Sequence, residues 1–516
     1  MTPGTRRQLD EASYLAPSRP GSAHPEPVRP GTSRQGTSHP EPVRPAPSRP
    51  GTSHPEPARP RAATRWLVAA VVAFALVVTA IVVGIGGHEG WMVPAGPSTI
   101  PPGLFGPSAT PSVATTTPVA DPAPACLAAA LDAVGTSGVI GQVRGLASGA
   151  VLWDQDSGRL AIPASNQKLL TTLALADAAP GGLATTYSTT VVSGPGQIVL
   201  VGGGDPYLAS TKDAARLGQP ATLADLAAAT ATALQAAGRG SVSLGFDDTL
   251  FAGPSWLPSW TPGYHYEVPA ISSLIVDEGL PSPDPASPSP AGAQMRSETP
   301  SLDAARVFAS QLRARGVEVT AVTPATAPPG ADTLASIDSL PLGDIIGVTL
   351  LHSDNTAAEV LFRQLSRAAG GDGSFADAGR AVLDWLGRDG GAAPGQVVAD
   401  GSGLSRDNLV SPAVLAGVIT RAAATDRGLE VLARLPVAAA TGSLFDRFTD
   451  PAAAGGRGWV HAKTGTLAGV GSLTGYTVTT SGRLLAFSLM INDGRGQTNQ
   501  RNELDKVATA VTTATC

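Results

Sequence analysis

Hydrophobic residues divide the chain into four parts. Residues 1–65 carry few aliphatic side chains and are rich in Pro, Arg, Ser and Gly, a composition typical of disorder. Residues 66–87 form an unbroken run of 22 uncharged residues. Residues 88–125 return to Pro, Thr, Ser and Ala, which predicts a semi-extended linker. Apolar positions recur with the periods of strands and helices only from residue 126 onward, so we expect the folded part there.

The periodicity after residue 126 predicts a mixture of strands and helices. Apolar runs predict strands over 139–154 and 188–201. Helical spacing predicts helices over 165–178, 223–237, 344–365, 374–386 and 501–513. Apolar strands over 471–479 and 483–491 flank a hairpin turn made of Thr480-Ser481-Gly482. Residues 190–320 add further strand and turn signals and are interpreted as an inserted subdomain.

The uncharged run over 66–87 is long enough to cross a membrane. At ~1.5 Å per residue it would span about 33 Å as a helix, against a hydrocarbon core of about 30 Å. Arg59, Arg61 and Arg65 precede it, and no Lys or Arg follows before Arg144. The positive-inside rule then predicts a single-pass cell-membrane protein with a cytoplasmic N-terminus and an extracellular domain. A cleaved signal peptide with a poor cleavage site at residues 93–95 is the alternative.

The predicted cytoplasmic tail contains a repeat. The sequence His-Pro-Glu-Pro-Val/Ala-Arg-Pro begins at His24, His39 and His54, a period of 15 residues. Such Pro-rich sequence favours polyproline II structure, which partner domains can recognise. A docking site for a cytoplasmic partner and a low-complexity tail without function are both open interpretations.

Charge and cysteine content exclude several classes of function. The net charge is −6, and the first 65 residues hold ten arginines against five acidic residues, so the folded part is acidic and unsuited to nucleic acid. Cys126 and Cys516 are the two cysteines of the chain. Neither belongs to a Cys/His cluster, so we expect no metal site and no cofactor. Because they lie at the two ends of a domain predicted outside the cytoplasm, we expect a Cys126–Cys516 disulfide; two unrelated free thiols are the alternative.

Ser165 and Lys168 form the first candidate for chemistry. They lie at positions i and i+3 where a loop runs into a predicted helix, so their side chains can touch. A serine hydroxyl needs a base nearby to act as a nucleophile, and a lysine with a lowered pKa supplies one where an arginine cannot. The chain has only four lysines, and Ser-x-x-Lys occurs once.

Two later motifs strengthen this assignment. They are Ser353-Asp354-Asn355 and Lys463-Thr464-Gly465-Thr466. In the order Ser-x-x-Lys, Ser-Asp-Asn, Lys-Thr-Gly, the three motifs resemble the signature of penicillin-recognising serine acyl-enzymes. Over residues 126–516 the chain resembles the low-molecular-mass class C penicillin-binding proteins, which are D-alanyl-D-alanine carboxypeptidases and DD-endopeptidases. The resemblance also rests on residues 163–168, on the Gly203-Gly204-Asp205-Pro206 turn, on residues 400–406, and on a separation of 188 residues between Ser165 and Ser353.

The resemblance implies an α/β fold: a transpeptidase-like domain over 126–189 and 321–516, with an antiparallel sheet, flanking helices and a helical cluster. The gap between the first two motifs is short for the two nested insertions typical of the family, so a second insertion is reduced or absent. The repeat-bearing tail and the retained anchor are not family features. We expect Asp400 to shape a loop and Glu359 to anchor the helix that carries Ser353.

The resemblance also implies a catalytic role for three residues. Ser165 attacks the carbonyl of the penultimate D-Ala of a peptidoglycan stem peptide and forms an acyl-enzyme. β-Lactams are implied to act as covalent inhibitors by acylating the same serine. Lys168, kept neutral by burial and by neighbouring positive charge, takes the proton. Ser353 relays a proton to the leaving amine. The backbone N–H groups of Ser165 and Thr466 are implied to form the oxyanion hole.

The remaining motif residues are implied to bind the substrate: Asn355, Lys463, Thr464, Gly465 and Thr466. A β-lactamase is one alternative function, although no Glu-x-x-Leu-Asn sequence follows Ser353 to activate a deacylating water. A non-catalytic cell-wall or division scaffold that retains the fold is the other. The intact triple motif argues against the scaffold, and the tail repeats favour it.

Overall fold

The computed structural model describes residues 121–215, 221–281, 294–388 and 391–515. The predicted tail, the apolar run over 66–87 and most of the predicted linker lie outside these residues. Over the ranges that the structure describes, no helix has the length and apolar character needed to cross a bilayer. Helices and strands are numbered below in chain order.

A five-stranded antiparallel sheet lies at the centre of the part of the chain that contains the three motifs. Its order is β2-β1-β10-β9-β8, with the strands β1 Ile140–Gly145, β2 Val151–Gln155, β8 Val460–Leu467, β9 Val470–Val478 and β10 Leu484–Ile491. Alternate side chains of each strand point to opposite faces, which produces two separate cores. On one face, Val143, Leu473 and Phe487 are buried against the helices α1 Pro124–Val134 and α10 Gln497–Thr513.

The other face of this sheet carries a cluster of helices. The cluster consists of α2 Gln167–Ala178, α5 Leu342–His352, α6 Asn355–Ala368, α7 Phe375–Gly387, α8 Pro412–Ala423 and α9 Asp426–Leu432. Helix α2 lies at its centre: Leu169, Leu170 and Leu175 are at most 1 % exposed. A helix buried on all sides has a fixed position, and α2 therefore gives the residues at its N-terminus a rigid support.

The chain between the first two motifs forms a second sheet. Its order is β6-β5-β4-β3-β7, with β3 Ser188–Gly194, β4 Gln197–Val201, β5 Ser241–Asp247, β6 Glu318–Pro324 and β7 Thr333–Asp338. Pairs β3–β4 and β3–β7 are antiparallel, and β4–β5 and β5–β6 are parallel. Helices α3 Leu223–Ala236 and α4 Pro300–Arg313 bury apolar side chains against it. The second sheet thus extends from 188 to 338, past the predicted boundaries of 190–320.

The helix predicted over 344–365 is wrong as a single element. Helix α5 ends at His352 and α6 begins at Asn355. Ser353 has left-handed backbone angles (φ 59°, ψ 37°), which stop a right-handed helix. Asp354 then caps α6 by accepting a hydrogen bond from the backbone N–H of Ala357. The break exposes Ser353 at a corner instead of on a helix face.

Cys126 lies in α1, next to the C-terminal helix α10. Cys126 is disulfide-bonded, and no cysteine in the described residues is free. Cys516 lies outside the described residues, so its pairing with Cys126 stays a prediction.

Candidate active site

The Ser165 turn lies between the helical cluster and the first sheet. A short 3-10 turn, Ala164–Asn166, carries Ser165 directly into α2. Strand β9 holds this turn: the Ser472 hydroxyl donates to the Pro163 carbonyl at 2.7 Å, and the Asn166 amide donates to Thr474 Oγ1 at 2.8 Å. Ser165 itself is half-buried. The sheet and α2 together fix the position of its hydroxyl.

Lys168 contacts three oxygen atoms. Its Nζ lies 3.0 Å from Ser165 Oγ, 2.7 Å from Asn355 Oδ1 and 2.8 Å from the Ser402 carbonyl oxygen. The side chain is 0 % exposed, and burial lowers the pKa of Lys168 from 10.5 to about 8. The four neighbouring charges that act on it are all carboxylates, which raise its pKa. The expected effect of burial on the pKa of Lys168 is therefore confirmed. The expected contribution of neighbouring positive charge is not, because the charges that act on Lys168 are negative and oppose the effect of burial.

Ser353 and Lys463 meet on the opposite side of the site. Lys463 Nζ donates to Ser353 Oγ and to the Thr464 carbonyl oxygen, both at 2.8 Å. Burial, and then the charge of Lys168, hold the pKa of Lys463 well below its usual value. Lys463 thus lies close enough to Lys168 for the charge of Lys168 to lower its pKa.

Asn355 connects the catalytic motifs to the inserted segment. Its Oδ1 accepts from Lys168, and its Nδ2 donates to Glu267 Oε2 at 3.2 Å. Glu267 is an exposed residue that follows the short helical turn Pro262–Tyr266. No sequence signal distinguishes Glu267 from other surface acids, because it reaches the site from 88 residues away.

The loop over residues 400–405 also contacts the site, through the Ser402 carbonyl oxygen. Asp400 shapes it as expected: its carboxylate accepts from the Gly403 N–H at 2.9 Å and from Trp260 Nε1 at 2.9 Å. Glu359 accepts from the N–H groups of Gly401 and Ser402 at 3.0 and 2.7 Å. Glu359 thus ties α6 to this loop, and burial raises the pKa of its carboxyl to about 8. The loop in turn presents the Ser402 carbonyl to Lys168.

Two glycines pack directly against the Ser165 turn. A Cβ atom on Gly465 would lie 2.7 Å from the Pro163 carbonyl oxygen and 3.1 Å from the Ser165 backbone nitrogen. A Cβ atom on Gly403, which has φ +86°, would lie 1.9 Å from the Ala164 carbonyl oxygen. Gly465 belongs to the edge strand β8 and is followed by the half-buried Thr466. Only glycine permits both approaches.

Replacing Gly403 with alanine tests this packing. The substitution G403A is expected to displace the Ser165 turn and to cost on the order of 2–4 kcal/mol of unfolding free energy. Activity should fall with stability, because the displaced backbone belongs to the nucleophile. Chemical denaturation measures the change, and Gly238→Ala, which shares a positive φ but has open space around it, is the matched control. Equal losses in both variants would contradict the packing argument.

Thr464 contacts a hydroxyl that the sequence did not single out. Its Oγ1 lies 2.8 Å from Ser443 Oγ, in the short turn Gly442–Leu444. Ser443 precedes Thr464 by 21 residues and belongs to no recognisable motif.

In the described ranges no group of three His, Cys, Asp or Glu side chains is placed to hold a metal ion.

Comparisons with known proteins show which family the chain resembles. The family model for D-Ala-D-Ala carboxypeptidase 3 (S13) matches residues 127–284 and 282–512. A carboxypeptidase of Mycobacterium tuberculosis is 33 % identical over 417 residues, which is 76 % of this chain and 86 % of that protein. The carboxypeptidase DacB of Mycolicibacterium smegmatis is 32 % identical over 476 residues, covering 88 % of this chain and 99 % of that protein.

One solved structure has a similar fold. Penicillin-binding protein 4 of Haemophilus influenzae superposes with a TM-score of 0.61 at 21 % identity, covering 74 % of this chain and 97 % of that protein. At this level of identity the comparison shows a shared fold: a penicillin-binding-protein-like arrangement of an antiparallel sheet and helices.

Proposed function

Because the chain belongs to the D-Ala-D-Ala carboxypeptidase 3 (S13) family of low-molecular-mass class C penicillin-binding proteins, we propose that it releases terminal D-Ala through an acyl-enzyme on Ser165. The chain is a D-Ala-D-Ala carboxypeptidase by family; the mechanism and the residue roles are our proposal. The observation that carries it is the set of three oxygen atoms around Lys168 Nζ.

These three oxygens orient the base. A neutral lysine amine has two N–H donors and one lone pair. Asn355 Oδ1 and the Ser402 carbonyl oxygen can only accept hydrogen bonds, whereas the Ser165 hydroxyl can also donate. The two N–H groups are therefore taken by Asn355 and Ser402, and the lone pair is directed at the Ser165 hydroxyl. Proton transfer to Lys168 accompanies the attack of Ser165 Oγ on the penultimate D-Ala carbonyl.

Ser353 and Lys463 are suited to protonate the leaving group. When the peptide bond breaks, the D-Ala nitrogen needs a proton. Ser353 Oγ accepts a hydrogen bond from Lys463 Nζ, so it can give its own proton to the leaving nitrogen and regain one from Lys463. The proton that Lys168 took from Ser165 then restores Lys463, so that one proton moves in total from Ser165 to the leaving amine. Water then hydrolyses the Ser165 ester and regenerates the hydroxyl.

Substrate binding is assigned to the edge strand β8 and to Asn355. Lys463 and the hydroxyls of Thr464 and Thr466 hold the terminal carboxylate, while Asn355 Nδ2 binds an amide carbonyl of the stem peptide. Gly465 lets this strand approach the nucleophile. The backbone N–H groups of Ser165 and Thr466 form the oxyanion hole, where removal of one donor costs about 2.7–4 kcal/mol.

Two measurements on the purified protein test this proposal. Incubation with a stem pentapeptide is expected to release free D-Ala. Incubation with benzylpenicillin is expected to add one penicilloyl group per chain. Trypsin cuts after Arg159 and Lys168, and Ser165 is the only hydroxyl residue in the peptide between them, so its mass identifies the acylated atom. Well-folded protein that yields neither product would overturn the proposal and favour the scaffold.

DD-endopeptidase and β-lactamase activities use the same acyl-enzyme and differ in the substrate. An endopeptidase cleaves cross-linked dimeric stem peptides, and a β-lactamase hydrolyses its penicilloyl ester quickly. We propose cleavage of cross-links as a second activity, supported by the partial exposure of Ser165 and Ser353. Separation of products from a cross-linked muropeptide measures it, and rapid loss of the penicilloyl mass would instead indicate a β-lactamase.

Activity is expected to depend on pH through Lys168. The reaction needs the neutral amine, and burial lowers the pKa of Lys168 to about 8; kcat/KM should therefore be low in acid and rise with pH through about 8. The measurement is kcat/KM from about pH 6 to about pH 10. In E267Q the glutamine oxygen can still accept from Asn355, but the loss of negative charge should move the midpoint to lower pH. A midpoint at the ordinary lysine pKa would contradict a buried base.

The location of the protein is part of the proposal. We propose that residues 66–87 anchor it as a single-pass protein with the catalytic domain outside the cell. The support is the length of the uncharged run, the arginines before it and the disulfide-bonded state of Cys126. Protease treatment of intact cells should remove the catalytic domain and leave the tail. Release of the domain into the medium would indicate a cleaved signal peptide.

The tail repeats support a separate binding role. We propose that the repeats beginning at His24, His39 and His54 bind a cytoplasmic partner through polyproline II structure. Deleting residues 1–60 is expected to alter localisation and leave peptidase activity unchanged. Unchanged localisation would indicate a tail without this function.

A further inference from the structure

The Gly-rich turn that follows β4 approaches the Ser353 corner. In this turn, residues 202–207, Tyr207 is 5 % exposed. Its hydroxyl donates to Asp354 Oδ2 at 3.3 Å and lies 3.5 Å from Thr349 Oγ1. Thr349 is in α5 and Asp354 caps α6. Tyr207 therefore contacts the chain both before and after Ser353.

Ser353 needs support from both sides. It is a non-glycine residue in the left-handed region (φ 59°), a conformation that persists only when the surroundings impose it. The Thr349 carbonyl accepts the N–H groups of both Ser353 and Asp354. The Tyr207 hydroxyl adds a contact between Thr349 and Asp354 through side chains. These contacts set the direction in which Ser353 Oγ and the Asn355 amide point.

The turn that carries Tyr207 is itself tightly held. Asp205 Oδ1 accepts the Tyr207 N–H at 2.9 Å. Gln364, on α6, donates to the carbonyl oxygens of Gly203 and Gly204 at 2.7 and 3.2 Å. A Cβ atom on Gly204 would lie 2.2 Å from Gln364 Nε2. The second sheet is thus connected to α6 at two points, Gln364 and Asp354.

We propose that Tyr207 is a positioning residue for the acyl-transfer reaction, acting through the Ser353 corner. By holding Asp354, it keeps Ser353 Oγ 2.8 Å from Lys463 Nζ and Asn355 Oδ1 2.7 Å from Lys168 Nζ. This assigns a role in catalysis to the inserted sheet. The inference rests on the proposed function of Ser353, and it predicts a defect in turnover instead of a defect in binding.

The test compares two tyrosines whose hydroxyl groups are buried, Tyr207 and Tyr187. Y207F removes the hydroxyl that contacts Asp354 and keeps the ring. Y187F is the matched control, because the Tyr187 hydroxyl is buried and has no hydrogen-bond partner in the part of the chain that the structure describes. In Y207F, kcat for D-Ala release should fall about tenfold while KM changes less than about twofold. The rate of acylation by benzylpenicillin should fall with kcat, and Y187F should match the wild type.

Amide hydrogen exchange separates this inference from the proposed function. In Y207F, residues 349–357 should exchange faster than in the wild type, with no such change in Y187F. Faster exchange with lowered kcat supports the positioning role. If wild-type protein lacked peptidase activity, the acyl-enzyme proposal would fail, and exchange would still decide whether Tyr207 holds the corner. Unchanged exchange, unchanged kcat, or equal losses in both variants would overturn the inference.

Discussion

Replacing Ser165 with alanine is expected to reduce D-Ala release by at least about 10⁴-fold and to abolish the penicilloyl adduct. No other hydroxyl lies between Arg159 and Lys168, and Ser165 Oγ is the one hydroxyl among the three oxygen atoms that contact Lys168 Nζ. The variant should fold normally, because the backbone of the turn is held by Ser472 and by Asn166. Initial rates and intact mass measure the two effects.

The control for S165A is a serine outside the site. S481A changes the turn between β9 and β10 and should leave both rates at the wild-type level. S165A should also retain non-covalent binding of the stem peptide. An adduct on S165A, at whatever residue, would show that the nucleophile lies elsewhere.

Replacing Lys168 with arginine is expected to reduce acylation by at least about 10³-fold although the positive charge is kept. A guanidinium group does not give up its proton at neutral pH, so it cannot accept one from Ser165. Lys168 is also 0 % exposed, and the larger group must fit among Asn355 and Ser402. The measurement is the rate at which benzylpenicillin labels K168R.

Lys212 offers the matched control for that substitution. It is exposed and distant in sequence from the three motifs, so benzylpenicillin should label K212R at the wild-type rate. Circular dichroism and the unfolding midpoint show whether K168R is folded. Folded K168R that still labels quickly would mean that another group removes the Ser165 proton.

The sequence predicted the parts of the site that depend on local spacing. Ser165 and Lys168 meet because i and i+3 share a helix face, and the hairpin over 471–491 follows from apolar alternation around Gly482. The order of the three motifs then indicated which distant segments come together. The resemblance of these motifs to one family is confirmed by the comparisons. It contributed more to the predicted site than the periodicity of apolar residues did.

Contacts between distant segments escaped sequence analysis. The break at Ser353 was missed because buried apolar positions, Leu350 and Ala357, continue on both sides of it. The cap by Asp354 becomes evident only from its hydrogen bond with the Ala357 N–H. Glu267 and Ser443 belong to no motif and reach the site only through the tertiary fold. The lowered pKa of Lys168 was attributed to burial and to neighbouring positive charge; burial lowers it, whereas the four neighbouring carboxylates that oppose burial were not foreseen.

The β9 contacts to the Ser165 turn have a consequence for biosynthesis. Ser472 and Thr474 hold residues that precede them by 309 and 308 positions, and Gly465 is needed beside the same turn. A ribosome therefore completes Ser165 and Lys168 long before the strand that orients them emerges. A nascent or truncated chain without β8 and β9 contains the nucleophile and its base and lacks the oriented turn. Under the proposed function, labelling by penicillin reports that β8 and β9 have docked, and its time course measures how fast this protein matures.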